Sequence, residues 1–294
     1  MPADSASPSK LAPRRDSRAV RADLHAHSTV SDGALAPAVL VERAAAQGVE
    51  LFALTDHDEL DGLAEAASAA ERLGLPFVPG VEVSVTWGET TVHIVGLGID
   101  AQAPVLRAGL ARVRSGRLER AREIGRQLEV AGVPDAFEGA LAHAGNLDLV
   151  SRTHFARHLV DTGVCRDVRE VFGRFLVEGK PGFVPHRWAD LDEALAWIQA
   201  AGGVAVLAHP GRYKLGEPAL HELMLQFRGH GGTAIEVSTS NHGPAQIVRF
   251  AQAARDFGFE ASAGSDFHAP GEQAELGAAP PLPADLTPVW HRYV

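Results

Sequence analysis

Short apolar segments that run directly into histidine or carboxylate residues recur along this chain, and they constrain its fold more than any other feature. The first is Ala22-Asp23-Leu24, which continues into His25-Ala26-His27. Side chains two residues apart on a strand share a face, so both imidazoles point to one place, as a divalent ion requires. Asp32 follows in a polar turn that can return a carboxylate to that place. For either imidazole taken alone, a turn-capping or buried, hydrogen-bonded histidine is the alternative.

The same pattern repeats with helices between the strands. Helices are predicted over 36–47, 62–73, 191–201, 220–227 and 247–257, and strands over 49–54, 77–83, 91–97, 204–208, 234–237 and 260–263. This alternation is typical of a parallel α/β fold, in which functional residues gather at the carboxyl ends of the strands. Ligand-type side chains lie in or just after these strands: His57, Glu82, His93, His209, Asp266 and His268.

Residues 101–187 interrupt the alternation with an Arg-rich helical sequence. Helical stretches are predicted over 105–131, 152–160 and 167–177, and the segment carries +4 while the rest of the chain carries −14. We therefore expect a helical insertion or cap domain over a discontinuous barrel domain formed by 21–100 and 188–294. A solvated cap that contacts no ligand is the alternative.

Composition excludes several classes of protein. The net charge of −10 argues against a protein that coats long duplex DNA. Cys165 is the single cysteine, so no intrachain disulfide can form and a reducing cytoplasm is expected. No run of residues has the length of a membrane span, and residues 1–20 lack the apolar centre of a signal peptide. That tail is predicted to be disordered, and the chain is expected to be a monomer.

The clustered donors predict a metal site. Burying so many unpaired polar groups would cost on the order of several kcal/mol each, and bound cations remove that cost. Six histidines and three carboxylates exceed the four donors of a tetrahedral ion and suit two or three ions that share a carboxylate. Donors without thiolate admit Mn²⁺, our first choice, and also Zn²⁺ or Fe²⁺. Such paired ions activate a water for in-line displacement, so phosphate-ester hydrolysis is the expected reaction.

Six motifs, in this order, resemble the PHP (polymerase and histidinol phosphatase) superfamily, and the resemblance extends over nearly all of residues 22–270. The motifs are Asp23-Leu24-His25-Ala26-His27, Thr55-Asp56-His57, Pro79-Gly80-Val81-Glu82, His93-Ile94, His209-Pro210-Gly211 and Gly264-Ser265-Asp266-Phe267-His268. The resemblance implies a distorted (β/α)7 barrel with a trinuclear metal site.

The resemblance also implies roles for these residues. Three ions would be held by His25, His27 and Asp266, by His93 and His209, and by Asp32, His57 and His268. Glu82 would bridge the first two ions, and Glu82, His209 and Asp266 would be essential for catalysis. Asp32 stands where histidinol phosphatases more often carry a histidine, which argues against histidinol phosphate as the substrate.

A narrower resemblance is to the branch that contains RNase AM, a 5′-3′ exoribonuclease, and the 3′,5′-nucleoside bisphosphate phosphatases. The matching motifs are Ser31-Asp32-Gly33, His93-Ile94-Val95-Gly96-Leu97, Arg152-Thr153-His154-Phe155-Ala156-Arg157, Gly179-Lys180 and Ala208-His209-Pro210-Gly211-Arg212-Tyr213. It implies that a metal-bridging hydroxide removes the 3′-phosphate or 3′-phosphodiester of a 5′-phosphorylated nucleotide. The substrate would be short RNA or a 3′,5′-bisphosphonucleotide such as pAp.

Substrate contacts are predicted on the insertion and after His209. Arg152 and Arg212 would grip phosphate as bidentate forks, with Ser151 and Tyr213 as hydrogen-bonding neighbours. Arg152 has an alternative role as a helix cap or as the partner of a carboxylate. His154 and His158 lie one helical turn apart; packing is favoured over a further ligand pair, and His154 is an additional candidate for substrate contact.

Two other functions are compatible with parts of the sequence. A phosphatase for another small metabolite, such as histidinol phosphate, would use the insertion only as a lid. A non-catalytic PHP module of a polymerase is disfavoured, because the chain is too short for a polymerase and no expected ligand is missing.

Overall fold

The structure of the chain is a computed structural model that describes residues 20–272 and 274–294; apart from Val20, the tail predicted to be disordered lies outside the described residues. The strands are β1 (Ala22–Asp23), β2 (Leu51–Leu54), β3 (Phe77–Trp87), β4 (Thr90–Leu97), β5 (Val204–Leu207), β6 (Ala234–Thr239) and β7 (Glu260–Gly264). The helices are α1 (Pro37–Ala46), α2 (Leu63–Leu73), α3 (Pro104–Arg114), α4 (Arg117–Val130), α5 (Ala136–His143), α6 (Arg152–Asp161), α7 (Val168–Val171), α8 (Leu191–Ala200), α9 (Glu217–Gly229) and α10 (Pro244–Phe257).

The seven strands follow one another in chain order around a nearly closed barrel. At the seam, the backbone N–H of Leu24 donates to the Ala263 carbonyl at 3.1 Å, and Ala26 pairs with Phe267 as a parallel bridge. Gly264 allows this approach, since a Cβ there would come within 2.4 Å of the His25 Cβ. The predicted α/β barrel is thus confirmed.

Strand β4 runs antiparallel to both β3 and β5, so the parallel arrangement predicted for it is wrong. Only Gly88 and Glu89 separate β3 from β4, and so short a connection joins antiparallel strands, because a parallel pair needs a crossover of about a dozen residues. Gly88 has φ +58°, a conformation that glycine adopts without strain. As a consequence, His93 reaches the site from the middle of its strand.

The helical segment between β4 and β5 is divided between two apolar cores. Leu106, Leu110 and Val113 of α3 are buried in the same cluster as the residues of the barrel. Helices α4 to α7 and a π-helix over Phe172–Leu176 enclose a separate cluster that includes Phe155. The helix predicted over 105–131 is therefore two helices, with the break at Ser115 and Gly116; the insertion bounds 101–187 stay a prediction.

The outer helices each bury one face against the barrel. In α8, for example, Ala194, Leu195 and Ile198 have no exposed surface. Ile198 packs directly on Gly96 of β4, where a Cβ would lie 3.0 Å from Ile198 Cγ1. Burial of such aliphatic side chains contributes about 1.5–3 kcal/mol each. Among the described residues, no helix combines the length and the apolar character needed to cross a membrane.

Candidate metal centre

The Glu82 carboxylate lies at the middle of a buried cluster of imidazoles at one end of the barrel. Its own side chain has no exposed surface. Its Oε2 lies 3.1 Å from His25 Nε2, 3.2 Å from His27 Nε2 and 3.1 Å from His57 Nδ1, and its Oε1 lies 2.9 Å from His93 Nδ1 and 3.0 Å from His209 Nε2. These residues come from five separate segments of the chain, so the fold brings together what the sequence separates.

Two further carboxylates flank Glu82. Asp266 Oδ1 lies 3.4 Å from His27 Nε2 and 3.6 Å from His25 Nε2. Asp32 Oδ1 lies 3.4 Å from His268 Nε2 on the other side of the cluster. Within each of three groups, ligand atoms lie within 4.8 Å of one another: His25, His27, Glu82 and Asp266; His57, Glu82 and His93; His27, Asp32, His57 and His268. Every residue predicted to bind metal lies in this cluster.

The cluster has the properties of a site for divalent cations. Within the described part of the chain, several of its buried ligand-type atoms have no hydrogen-bond partner: His25 Nε2, both ring nitrogens of His27, Asp32 Oδ1, His57 Nδ1, Glu82 Oε2 and His209 Nδ1. Structural histidines normally satisfy these atoms, because a buried polar group without a partner costs about 1–3 kcal/mol. Nitrogen and carboxylate oxygen donors without thiolate suit Mn²⁺, Fe²⁺ or Zn²⁺.

The three carboxylates are anionic. Burial by itself would raise the pKa of Glu82, but the facing imidazoles of His25 and His57 hold it well below its usual range. Burial is likewise the largest influence on Asp32 and Asp266, and it is outweighed by His268 for Asp32 and by the Arg212 guanidinium for Asp266, so both pKa values are low. Burial would lower the pKa of His25 and His27, but Glu82 and Asp266 raise both above the ordinary value. Bound cations would take the place of those ring protons and neutralise the three buried carboxylates.

Buried acids outside the cluster fix the loops that carry its ligands. Asp56 accepts hydrogen bonds from the Ser28 backbone N–H at 2.7 Å and from the hydroxyls of Ser28 and Ser31, each at 2.6 Å. Asp23 accepts from the Ser265 backbone N–H at 2.8 Å. These bonds hold the turn that bears His27 and Asp32 and the turn that bears Asp266.

Two of the predicted metal ligands, His209 and Asp266, have an unusual backbone conformation that sets the direction of their side chains. His209 has φ +26° and Asp266 has φ +55°, values that non-glycine residues adopt only at a cost of about 1–3 kcal/mol. His268 Nδ1 donates to the Asp266 carbonyl at 2.9 Å, and Nε2 of the same ring faces Asp32. Such strained positions concentrate at functional sites.

Glu236 is a buried carboxylate beside the cluster that was not predicted from the sequence. It lies on β6 beside a β-bulge, with 1% of its surface exposed. Its Oε1 lies 2.8 Å from His25 Nδ1, and its Oε2 accepts the backbone N–H of His209 at 2.5 Å. A carboxylate in an otherwise apolar strand, Ala234-Ile235-Glu236-Val237, is the signal that could have found it.

A cavity opens above the cluster, between the barrel and the insertion. Of the predicted substrate residues, Ser151, Arg152 and Arg212 line it. Ser151 Oγ donates to Asp32 Oδ2 at 3.1 Å, and Arg212 Nη1 donates to Asp266 Oδ2 at 2.5 Å. Arg152 Nη1 donates to the Leu176 carbonyl at 3.3 Å, and no carboxylate pairs with it among the described residues. The alternative pairing of Arg152 with a carboxylate is thus not found among the described residues, and its contact with phosphate stays a prediction.

Tyr213 and His154, the other two residues predicted to contact substrate, are not among the residues that line this cavity. The Tyr213 hydroxyl accepts the His93 backbone N–H at 3.0 Å and donates to the Ala208 carbonyl at 2.7 Å, so it joins two strands of the barrel. His154 is 1% exposed, and its Nδ1 accepts the Ser151 backbone N–H at 2.9 Å. Both therefore hold other residues in place, and the packing role favoured for His154 agrees with this geometry.

Two arginines of the cavity wall were not singled out from the sequence. Arg117 and Arg120 begin α4 and both lie over the Trp188 ring, with Cζ 4.4 Å and 5.5 Å from its centroid. Helix α4 is rich in arginine along its whole length, so the sequence offers no signal that distinguishes these two from Arg122 or Arg126.

Comparisons with known proteins identify the family of this chain. A model of the PHP domain family matches residues 23–131. The chain is 54% identical over 269 residues to a 3′,5′-nucleoside bisphosphate phosphatase from Chromobacterium violaceum, a match that covers 91% of this chain and 94% of that protein. It is 43% identical over 276 residues to the 5′-3′ exoribonuclease Rnm of Escherichia coli, covering 92% and 93%. A solved structure of an amidohydrolase from Chromobacterium violaceum, with bound sulfate and no metal, matches with a TM-score of 0.91 at 52% identity, over 93% of this chain and 96% of that one.

Proposed function

This chain belongs to the PHP family and is a metal-dependent phosphoester hydrolase, and on that premise we propose that it removes the 3′-phosphate or 3′-phosphodiester of 5′-phosphorylated nucleotides. Its substrates are then 3′,5′-bisphosphonucleotides such as pAp and short 5′-phosphorylated RNA. One observation carries this proposal: a cavity that places the Glu82 cluster on one wall and several arginines on the other. The two relatives named for these activities support it.

We propose the following ligand sets for two or three divalent ions, with Mn²⁺ as the first choice. His25, His27 and Asp266 form one set, His93 and His209 a second, and Asp32, His57 and His268 a third, with Glu82 shared between the first two. When bound, such ions supply an activated water and neutralise negative charge that develops on phosphate oxygens. Glu236, which faces His25 Nδ1, and the Asp266 carbonyl, which faces His268 Nδ1, would hold these two imidazoles in the tautomers that direct lone pairs into the cluster.

Arg212 and Arg152 would bind different parts of the substrate. Arg212 lies against Asp266 and is therefore placed for the phosphate that is cleaved. Arg152 projects from the insertion and has no acidic partner in the part of the chain described, so an anionic substrate group can take that position. A ligand held by both would span the cavity from the insertion to the metal centre.

A substrate panel tests the proposal. We expect kcat/KM to be highest for pAp and a 5′-phosphorylated oligoribonucleotide, lower for the same oligoribonucleotide with a 5′-hydroxyl, and lowest for histidinol phosphate. A clear preference for histidinol phosphate would contradict the proposal and favour the alternative, a phosphatase for another small metabolite. If the metal-replete protein hydrolysed no phosphate ester, the result would favour the alternative of a non-catalytic PHP module.

The ligand assignment needs its own test. His209→Ala and Asp266→Ala should each abolish turnover of pAp while the circular dichroism spectrum stays that of a folded protein. Arg255→Gln is a suitable control, because that side chain pairs with Asp285 on the outside of the barrel. Unchanged turnover in either ligand variant would contradict the assignment.

A further inference from the structure

The turn that follows β5 carries both His209, a proposed metal ligand, and Arg212, which lies against Asp266. It is a short 3-10 helix over Pro210–Arg212, and the Arg212 backbone N–H donates to the His209 carbonyl at 2.9 Å. The Arg212 side chain is 47% exposed, so packing alone does not fix its guanidinium. The position of that group depends on what holds the backbone of the turn.

Two side chains from the segment after β6 hold this backbone at Gly211. The Gly211 N–H donates to His242 Nε2 at 3.1 Å, and the Gly211 carbonyl accepts from Gln246 Nε2 at 3.0 Å. The N–H and the carbonyl of one residue belong to the two peptide planes on either side of it, so these bonds together fix both backbone dihedral angles. A Cβ on Gly211 would come within 2.5 Å of Gln246 Nε2 and 2.8 Å of the His242 ring, so this close contact requires glycine.

His242 is itself fixed in orientation and tautomer. It is 5% exposed, and its ring stacks on Phe250 of α10 with the centroids 4.8 Å apart. Its Nδ1 lies 3.0 Å from the Val237 carbonyl, which can only accept, so Nδ1 carries the proton and Nε2 is left as the acceptor. Val237 lies at the β-bulge of β6, where the pairing with β7 is interrupted.

The same segment also contacts the partner of Arg212. Gln246 Oε1 accepts the Gly243 backbone N–H at 3.0 Å, which directs the amide NH₂ towards the turn. Asn241 Nδ2 donates at 3.1 Å to Asp266 Oδ2, the oxygen that also accepts from Arg212. The segment between β6 and α10 therefore supports both members of this ion pair.

We propose that His242 and Gln246 are positioning residues for phosphate binding and that they act through Arg212. By fixing Gly211, they fix the direction in which the Arg212 side chain leaves the turn, and so keep its guanidinium beside Asp266 at the cavity. The inference rests on the proposed role of Arg212 at the phosphate that is cleaved.

A double-mutant cycle with inorganic phosphate as the probe tests this without turnover. In calorimetry on protein saturated with Mn²⁺, we expect Arg212→Gln to weaken phosphate binding about tenfold or more and His242→Leu about fivefold or more. The double variant should bind phosphate within about twofold of Arg212→Gln alone, because the two residues act as one unit. The same loss from His242→Leu with and without Arg212 would overturn the inference, and so would equal binding by wild type and Arg212→Gln.

Further variants separate the hydrogen bonds from folding. His242→Gln retains an acceptor for the Gly211 N–H and should bind phosphate within about threefold of wild type. Gln246→Met keeps the length of a partly buried side chain but cannot donate, so it should weaken binding as His242→Leu does, and it decides the question if His242→Leu does not fold. His221→Leu is the matched control, because that exposed histidine on α9 packs on the Phe257 ring, away from the turn. Wild-type affinity in Gln246→Met would contradict the inference.

Metal binding and turnover complete the test. Glu236 separately accepts the His209 backbone N–H, so Mn²⁺ affinity in His242→Leu should stay within about twofold of wild type. A loss of Mn²⁺ affinity as large as the loss of phosphate affinity would mean that His242 acts through His209 instead. In the same variant kcat/KM should fall by similar factors for pAp and for 3′-AMP, which share the cleaved group. If wild type hydrolysed neither, the proposed function would fail, and the phosphate cycle would still decide whether His242 positions Arg212.

Discussion

Glu236 connects the two segments that carry His25 and His209. One carboxylate oxygen faces His25 Nδ1, and the other accepts the His209 backbone N–H. Glu236 itself does not line the cavity. A glutamine has the same shape, but its NH₂ group would oppose one of these two donors. We expect Glu236→Gln to remain folded and to bind Mn²⁺ about ten- to hundredfold more weakly, as loss of an outer partner of a ligand histidine does. Competition with a metallochromic chelator measures this affinity directly.

Glu222→Gln is the matched control for that experiment, because Glu222 is an exposed glutamate on α9 that contacts Gln226. It should bind Mn²⁺ as wild type does. Identical Mn²⁺ affinity in Glu236→Gln and wild type would show that the carboxylate does not position His25.

His154 gives a second prediction at the scale of one residue. Burial lowers its pKa to about 4, and its Nδ1 must stay unprotonated to accept the Ser151 N–H. The unfolded chain, with a histidine pKa of about 6.5, therefore binds more protons than the folded chain between about pH 6.5 and 4. The contribution of His154 to stability is complete above this window and falls as the pH is lowered through it, by up to about 3 kcal/mol.

A glutamine in place of His154 cannot bind a proton in this pH range, and its side-chain oxygen can still accept the Ser151 backbone N–H. We expect the loss of unfolding free energy between pH 7.5 and 5, measured by urea denaturation with chelator present, to be smaller in His154→Gln than in wild type. His230→Gln, on the exposed end of α9, should leave the pH dependence as it is. If the unfolding free energy of His154→Gln fell with pH as steeply as that of wild type, His154 would not be the source of this pH dependence.

The predictability of single residues depends on local signals. His25 and His27, or Asp266 and His268, are recognisable because ligand-type residues recur where predicted strands end. Glu236 has no such signal, since a lone glutamate in a strand is as typical of a solvent-facing position. Its partner His25 is distant in sequence, and only the closed barrel brings the two together.

At the scale of the element, α6 joins the insertion to the metal centre. Ser151 caps this helix by accepting the Thr153 backbone N–H at 3.2 Å, and the same hydroxyl donates to Asp32 Oδ2. Arg157, further along α6, donates to the Asp32 carbonyl at 2.7 Å. We expect Ser151→Ala to lower the unfolding free energy by about 1 kcal/mol, as loss of a helix cap does, and also to weaken Mn²⁺ binding.

The two effects can be separated with a second capping residue. Asp190 caps α8, outside the cavity. Asp190→Ala should lower stability by a similar amount, measured by urea denaturation, and leave Mn²⁺ affinity unchanged. If Ser151→Ala behaved in the same way as Asp190→Ala, the contact with Asp32 would have no role in metal binding.

Elements were predicted well where hydrophobic periodicity is strong and less well where tertiary contacts decide. The outer helices α1, α2 and α10 are found within a few residues of their predicted bounds. The break between α3 and α4 was missed, because α3 packs on the barrel and α4 on the insertion core, a division that periodicity does not contain. The π-helix over Phe172–Leu176 was likewise predicted only as helical sequence.

At the scale of the whole molecule, the metal centre joins parts of the barrel that are far apart in the chain. His25 follows β1, Glu82 lies on β3, His209 follows β5 and Asp266 follows β7, at the seam where the barrel closes. The class of the fold was predictable because alternating helices and strands determine it. The antiparallel β4 was not, because strand direction depends on a short turn whose geometry was not used.

This arrangement makes metal binding a part of global stability. A ligand that binds only the folded chain stabilises it by RT ln(1 + [L]/Kd), about 2.7 kcal/mol for one site at a hundredfold excess over Kd. We expect Mn²⁺ to raise the melting temperature of chelator-treated protein, and Glu82→Gln, which loses the shared carboxylate, to respond much less. Sodium chloride at matched ionic strength controls for screening. The five imidazoles around Glu82 come from four separate segments of the chain, which this carboxylate brings together. An equal rise in both proteins would therefore mean that the stabilising ions bind elsewhere.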